Sequence, residues 1–164
     1  MKLFRNNQKG FTLIELLVVI GILAILLAIT LIAINPARQF AQANNTQRQS
    51  DVNAILNAVH QYMADNNGTP PAGIPVDDGD PATDDTLPIG VNAALPASVV
   101  DLCTPLAPTY IAAIPTDPQS GVTPVTDCAV DHDTDYRIVQ SATNSRITIS
   151  APDAELTAII SVTR

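Results

Sequence analysis

Basic residues are scarce in this chain of 164 residues, and their scarcity excludes one class of function. The chain has 8 lysines and arginines against 16 aspartates and glutamates, a net charge of −8. Lys2 and Lys9 are its two lysines, and no cluster of basic residues follows them. A nucleic-acid-binding protein needs clustered Lys and Arg side chains to neutralise phosphates. The composition therefore predicts no nucleic-acid partner.

Residues that carry catalysis or bind zinc are also scarce. The chain has two cysteines and two histidines, too few and too scattered for a structural zinc site. The sequence contains no nucleophile elbow, glycine-rich phosphate loop or zinc-binding helix motif. His60 lies within a helical pattern, which favours a histidine packed in the fold. His132 is flanked by aspartates, which favours a solvated histidine over a catalytic base. We predict no enzyme activity and no required cofactor.

One apolar run explains why the chain is hydrophobic on average, with a mean hydropathy of +0.20, in spite of its negative charge. Residues 11–34 contain 20 apolar residues out of 24. As a helix this run would be about 36 Å long, enough to cross the hydrocarbon core of a membrane with some tilt. A cleaved secretory signal would be shorter and followed by small residues, whereas this run ends in Asn35-Pro36-Ala37. The run therefore predicts a retained transmembrane helix.

The charges on either side of the apolar run predict its orientation. Lys2, Arg5 and Lys9 precede it, and the bulk of the chain beyond it is acidic. By the positive-inside rule the N-terminus stays in the cytoplasm and the rest of the chain is extracytoplasmic.

Glu15 is a carboxylate inside the apolar run. Inserting it into a membrane costs about 2.5–3.5 kcal/mol, and two interpretations explain it. The side chain extends to the near interface, or it meets a positive partner. The run contains no base, but cleavage after Gly10 would create one, because the new amino group of Phe11 in a neighbouring helix would lie close to Glu15.

Residues 9–19 read KGFTLIELLVV, which resembles the processing and methylation site of type IV pilins and the related pseudopilins. In that family a membrane peptidase removes a short basic leader after a glycine, and the exposed phenylalanine is N-methylated. The resemblance implies that Gly10 and Phe11 form the processing site and that Glu15 guides docking into a filament. The implied partners are further copies of the chain, the prepilin peptidase/N-methyltransferase, an inner-membrane assembly platform, and membrane lipid before assembly.

The resemblance also implies a domain organisation and a function. We expect a leader peptide (1–10), a transmembrane and filament-core helix (11–34), an amphipathic half of the same helix (35–66) and an extracytoplasmic head (67–164). The chain would be a single-pass inner-membrane protein that becomes a structural subunit of an extracellular type IV pilus-like filament. Two alternatives remain: a pseudopilin of a type II secretion or DNA-uptake system, and a signal-anchored acidic binding module that does not assemble.

A second helical pattern follows Pro36, where proline predicts a kink or a break. Apolar residues recur at helical spacing from Val52 to Met63. Residues 38–50, the neck, are mostly polar, which favours a solvated stretch of helix; the alternative is a segment that loses helical order in a fibre.

The C-terminal end predicts strands and completes an α+β fold. Tyr136, Ile138, Ile147 and Ile149 alternate with polar residues around a turn at 142–145, and 156–162 is a third run. We expect a small antiparallel sheet packed against the long N-terminal helix, which agrees with the ladle architecture of the pilin family. In the proline-rich stretch between helix and strands, short helical turns are predicted at 92–100 and 109–114.

Cys103 and Cys128 both fall in the part placed outside the cytoplasm, where disulfides form. We predict that they are bonded; the alternative is two buried free thiols.

Asp131, Asp133 and Asp135 alternate along the chain at a spacing that Ca²⁺ can use. The segment lacks the glycine and the distal glutamate of an EF-hand, so an acidic turn before a strand is the alternative to a calcium site. Some pseudopilins hold calcium in a comparable head loop.

The pair Asp117-Pro118 resembles a pseudopilin signature that precedes the sheet. Gln119 and Ser120 stand where many major pseudopilins have an aromatic residue and a glycine. We predict a structural role for Asp117, as an acceptor for nearby backbone amides.

Overall fold

The computed structural model describes residues 10–80, 84–121 and 123–164. The chain divides into two compact units, Met1–Gln39 and Phe40–Arg164. Apart from Gly10, the predicted leader lies outside the described residues.

Helix α1 spans Leu13–Ile34 in the first unit. Thr12 is its N-cap, and none of its side chains is buried. Among the described helices, α1 is the one whose length and composition would allow it to cross a membrane. A helix that is apolar on every side must be covered by lipid or by other helices, as its sequence predicts.

The helical chain is interrupted at Asn35. Its φ of 46° is left-handed, a conformation that asparagine tolerates better than most residues, and Pro36 disfavours the α conformation in the residue before it. The backbone oxygen of Asn35 accepts a hydrogen bond from the N–H of Arg38 at 3.1 Å. The predicted break is present, and helix α2 spans Pro36–Asp65.

Five strands form one sheet beside α2. They are β1 (Val76–Asp77), β2 (Leu87–Val91), β3 (His132–Ser141), β4 (Ile147–Ala151) and β5 (Ile160–Thr163). Strand β3 is central and pairs antiparallel with β2 and β4, and β4 pairs antiparallel with β5. The short β1 pairs parallel with the C-terminal end of β3. The predicted α+β fold with a C-terminal antiparallel sheet is confirmed, and β1 makes the complete sheet mixed.

The hydrophobic core lies between α2 and the sheet. The helix contributes Val52, Ile55, Leu56, Ala58 and Val59, and β3 and β4 contribute Tyr136, Ile138, Ile147, Ile149 and Ala151. These residues recur at helical spacing in α2 and at every second position in the strands, which are the periodicities that place them on one face. The hydroxyl of Tyr136 donates a hydrogen bond to Asp51 Oδ2 on α2 at 2.9 Å.

Several elements differ from the prediction. The third strand begins only at Ile160, because Leu156 and Thr157 both have a φ of 57°, which an extended strand cannot include. Strand β2 was not predicted, because it contains Pro88; its register shifts between Pro88 and Gly90, as strands with proline often do.

The predicted helical turn at 109–114 is wrong. The one-turn helix α3 lies earlier, at Cys103–Leu106, and Ile114 instead forms a β-bridge with Val125. The other predicted stretch, 92–100, contains a 3₁₀ turn at Pro96–Ser98.

A disulfide joins Cys103 to Cys128 across a sequence separation of 25 residues. Closing a loop of this length restricts the unfolded chain and stabilises the fold by about 3.5 kcal/mol in the chain-entropy model. Replacing both cysteines by serine is therefore expected to lower the free energy of unfolding by about 3 kcal/mol, measured by denaturant titration of the full chain in detergent. Reducing the wild-type protein should reproduce the loss, while the same reductant should leave the double variant unchanged. Equal stability of the oxidised wild type and the variant would contradict this expectation.

Candidate functional site

Glu15 lies in the first turn of α1, where its carboxylate closes a capping box with Thr12. Oε2 of Glu15 accepts hydrogen bonds from the backbone N–H of Thr12 at 2.8 Å and from its hydroxyl at 2.7 Å. In return, the hydroxyl of Thr12 accepts from the backbone N–H of Glu15 at 3.3 Å. Within the chain the carboxylate therefore has a neutral local partner.

Sequence reasoning looked for a charged partner and missed this neutral one. The signal was present, because a threonine followed by a glutamate three residues later, just before an apolar run, is typical of a capping box. The box satisfies two backbone N–H groups that would otherwise be unpaired at a helix start. It leaves further lone pairs of the carboxylate available to a second donor.

Gly10 and Phe11, the predicted processing residues, directly precede the N-cap. Both are exposed, and the side chain of Phe11 is 86% exposed. A Cβ added at Gly10 would meet no other atom within 4 Å. The peptide bond between the two residues lies outside the helix, in a segment that is not shielded by other described parts of the chain.

The calcium candidates Asp131, Asp133 and Asp135 lie at and just before the start of β3. Oδ1 of Asp131 accepts from the backbone N–H of Ala93 at 3.0 Å, and Oδ1 of Asp133 accepts from the N–H of Asp135 at 2.9 Å. Burial raises the pKa of Asp135, and the nearby charges of Asp133 and Asp153 raise it further. Asp131 thus binds a distant loop and Asp133 makes a local turn contact, and a calcium site there stays a prediction.

A different group of acids comes together in the described part of the chain. Asp77, Asp78 and Asp85 place carboxylate oxygens within 4.8 Å of one another. Asp85 also accepts a hydrogen bond from the backbone N–H of Asp78 at 2.9 Å. Exposed acidic groups of this kind are common in loops, and the group by itself indicates no ligand.

Arg48 on α2 is the residue that sequence reasoning missed most clearly. The sequence favours a solvated neck, but the structure buries Arg48 completely and Ala41 almost completely. The guanidinium binds Asp117 with two hydrogen bonds, Nε to Oδ2 at 2.5 Å and Nη2 to Oδ1 at 2.9 Å. Nη1 donates to Oε2 of Glu155 at 3.1 Å. We call Arg48, Asp117 and Glu155 the Arg48 hub.

The Arg48 hub leaves no guanidinium N–H unpaired. Beyond the three bonds to the carboxylates, Nη1 donates to Oδ1 of Asn45 at 3.2 Å and Nη2 donates to Oε1 of Gln119 at 3.1 Å. Five hydrogen bonds account for the five donors of an arginine. Gln119, which departs from the pseudopilin pattern, therefore has a clear role as part of the lining of this buried arginine.

Asp117 accepts a hydrogen bond from a backbone amide, as the sequence predicts, and it also binds Arg48, which the sequence does not predict. Its Oδ1 accepts from the backbone N–H of Gln119 at 2.8 Å. Burial raises the pKa of Asp117, but the hydrogen bonds from Arg48 and from this N–H outweigh burial, so its pKa is lowered overall. The ion pair with Arg48 therefore persists as the pH falls towards the ordinary range of aspartate.

Two comparisons with known proteins give matches to part of the chain. Residues 5–31 match the family described as "Prokaryotic N-terminal methylation motif". A stretch of 62 residues is 44% identical to the "Type IV wide pilus major component PilA4" of Thermus thermophilus. The match covers 38% of this chain and 46% of the relative, so it spans less than half of either protein. No solved structure matches the chain.

These two matches confirm the resemblance to type IV pilins and pseudopilins that residues 9–19 predict. The motif contains Gly10, Phe11 and Glu15, together with most of α1. Because the matches cover a minority of the chain, what the whole protein does is a separate inference.

Proposed function

We propose that this chain, which has the N-terminal segment of a type IV pilin, is a structural subunit of a type IV pilus-like filament. The observation that carries the proposal is α1 itself: 22 residues with no buried side chain, preceded by the exposed Gly10-Phe11 pair. A helix of this kind needs a covering of lipid or of identical helices. In a filament, identical helices cover α1 after the subunit has left the lipid.

The proposed sequence of events begins in the inner membrane, with the N-terminus in the cytoplasm. A prepilin peptidase/N-methyltransferase cleaves between Gly10 and Phe11 and methylates the new amine of Phe11. An assembly platform in the inner membrane then moves the subunit from lipid into an extracellular fibre. In the fibre the α1 helices pack together, and Glu15 of each subunit binds the Phe11 amine of a neighbour.

Cleavage removes three of the eight basic residues, since Lys2, Arg5 and Lys9 precede the cut. The mature chain then has five bases against sixteen acids, a net charge of −11. Identical subunits with this charge repel one another. Apolar packing and the pairing of Glu15 must therefore outweigh that repulsion during assembly.

Intact-mass measurement of the chain isolated from its native membrane tests the processing step. We expect a mass that corresponds to a chain beginning at Phe11 with one added methyl group. A Gly10→Leu variant is the control, because its side chain obstructs the extended backbone that the peptidase must accept, and its mass should include the leader. A wild-type product that still begins at Met1 would overturn the proposal.

Electron microscopy of material sheared from cells separates the alternatives. Long fibres support the pilus subunit. Short fibres that appear only on overexpression support a pseudopilin, the alternative that the Asp117-Pro118 pair resembles but that Gln119 and Ser120 weaken. A processed chain without fibres of any length would indicate an anchored binding module.

A further inference from the structure

Two asparagines of the chain are followed two residues later by a threonine, with no proline between. The two segments are Asn44-Asn45-Thr46 and Asn67-Gly68-Thr69. Asn-x-Ser/Thr is the pattern to which N-linked glycans are attached, through the side-chain amide of the asparagine. A pattern this short also occurs by chance, and the sequence does not distinguish the two segments. The structure does, because it places them in different local environments.

The segment Asn44-Asn45-Thr46 lies inside helix α2, and the fold already uses its side chains. Nδ2 of Asn44 donates to Oε2 of Glu155 at 2.9 Å, and the hydroxyl of Thr46 donates to the backbone oxygen of Gln42 at 2.9 Å. Positions i and i+2 of a helix do not face each other, so one enzyme surface cannot bind Asn44 and Thr46 together. This segment is therefore not a glycan acceptor in the folded chain.

The segment Asn67-Gly68-Thr69 lies in the turn that follows α2, and all three residues are exposed. Asn67 and Gly68 have φ values of 55° and 83°, so the backbone leaves the helix at this point. Within the part of the chain that the structure describes, the side-chain amide of Asn67 and the hydroxyl of Thr69 have no hydrogen-bond partner. Both groups are thus accessible to an enzyme.

The end of α2 explains part of this segment but not all of it. Asparagine tolerates the left-handed conformation that position 67 requires, and the N–H of Gly68 donates to the backbone oxygen of Met63 at 2.7 Å, as in a helix C-cap. These contacts explain Asn67 and Gly68 as the residues that stop the helix. They give no role to the hydroxyl of Thr69, which is the group that completes the glycosylation pattern.

We propose that Asn67 is the attachment site of an N-linked glycan. This inference rests on the proposed function, because that function places residues 67–164 outside the cytoplasm. There a membrane-bound oligosaccharyltransferase would use a lipid pyrophosphate-linked oligosaccharide as the donor. Nδ2 of Asn67 forms a bond to C1 of the first sugar, and the bond from C1 to the pyrophosphate oxygen breaks. The amide proton passes to a base of the transferase, and the lipid pyrophosphate leaves.

Peptide mass mapping of the chain isolated from its native membrane tests the attachment site. Cleavage before each aspartate releases residues 65–76 and, from the processed chain, residues 11–50 as separate peptides. Each peptide contains one of the two patterns. We expect sugar on 65–76 and none on 11–50, so the glycan adds its mass to that of the processed and methylated chain. Sugar on 11–50 or an unmodified 65–76 peptide would overturn the proposal.

Deamidation of Asn67 is a competing modification of the same side chain. In that reaction the backbone nitrogen of Gly68 attacks the side chain of Asn67, but the hydrogen bond from Gly68 to Met63 holds this nitrogen in place. We therefore expect little deamidation in the folded chain. A 65–76 peptide that carries only the mass change of deamidation would overturn the proposal.

Four variants separate glycan attachment from the helix end. Asn67→Gly keeps a residue that readily adopts a positive φ but removes the amide, and Thr69→Ala removes the hydroxyl but leaves Asn67; both should lose the glycan completely. Thr69→Ser keeps the pattern and should retain the glycan. The matched control is Thr46→Ala, which breaks the other pattern and should be glycosylated like the wild type. A glycan that survives Thr69→Ala or disappears in Thr46→Ala would overturn the proposal.

The N-terminal peptide of the same digest separates this inference from the proposed function. A chain that begins at Phe11 with an added methyl group but has no sugar on 65–76 overturns the glycan alone. A chain that still begins at Met1 overturns the proposed function, and its 65–76 peptide then decides the glycan independently.

Discussion

Replacing Glu15 by alanine is expected to leave cleavage after Gly10 intact and to abolish filaments. The carboxylate is the one charged group in α1, and under the proposed function its partner is the amine of Phe11 in a neighbouring subunit. Hydrogen bonds to charged groups contribute about 1.5–3 kcal/mol, which corresponds to about a ten- to hundredfold loss in the equilibrium of each addition step. The measurements are intact mass for processing and electron microscopy of sheared material for assembly.

Two further variants separate the charge of Glu15 from its local hydrogen bonds. Glu15→Gln retains an oxygen that can accept from Thr12 in the capping box, but it has no charge, so we expect the same loss of filaments. Thr12→Val removes the capping hydroxyl and leaves the charge, so assembly should continue with a helix start weakened by about 1 kcal/mol. Normal filaments from Glu15→Gln would contradict docking by charge and would reduce Glu15 to a helix cap.

Replacing Arg48 by methionine is expected to lower the free energy of unfolding by about 3–5 kcal/mol, because it leaves Asp117 buried without its cation. Arg48 and Asp117 are 0% and 3% exposed as side chains, so solvent cannot replace the lost hydrogen bonds. The change also removes the donor that binds Glu155. Denaturant unfolding of the full chain in detergent measures the loss.

An exposed ion pair supplies the matched control for Arg48. Arg137 binds Asp84 at 3.4 Å with side chains that are 37% and 69% exposed, and such pairs contribute at most about 1 kcal/mol. Arg137→Met should therefore have a small effect. The Arg48→Met/Asp117→Leu double variant should recover much of the stability, because no buried charge remains unpaired. If Arg48→Met costs no more than Arg137→Met, the Arg48 hub is not a stabilising feature of the fold.

The N-terminal third of the chain is predictable because its signals are local. The composition of residues 11–34 defines α1, the Asn35-Pro36 pair defines its end, and the order of Gly10, Phe11 and Glu15 identifies the family. Alternation around residues 142–145 likewise defines β3 and β4. In each case the information lies within one continuous segment of helix or one hairpin.

The proline-rich middle of the chain is predictable only in part. Strand β2 contains Pro88 and a register shift, so its sequence does not have the pattern of a strand. It is recognised as a strand only from its pairing with β3. The helical turn expected at 109–114 was displaced because Ile114 is used in a bridge to Val125. Neither pairing partner can be identified from the neighbouring sequence.

The sequence by itself determined the apolar N-terminal helix, the family of its N-terminal segment, the α+β class and the pairing of the two cysteines. The tertiary structure decided that the polar neck is not simply solvated. Arg48 meets Asp117 and Glu155 from 69 and 107 residues away, and Glu155 also binds Asn44 and Asn45 of the neck. The physical reason is the sequence separation of the interacting residues. Hydropathy and periodicity can be read from residues that are close in the sequence. A buried charge is stable only where folding brings distant carboxylates to it.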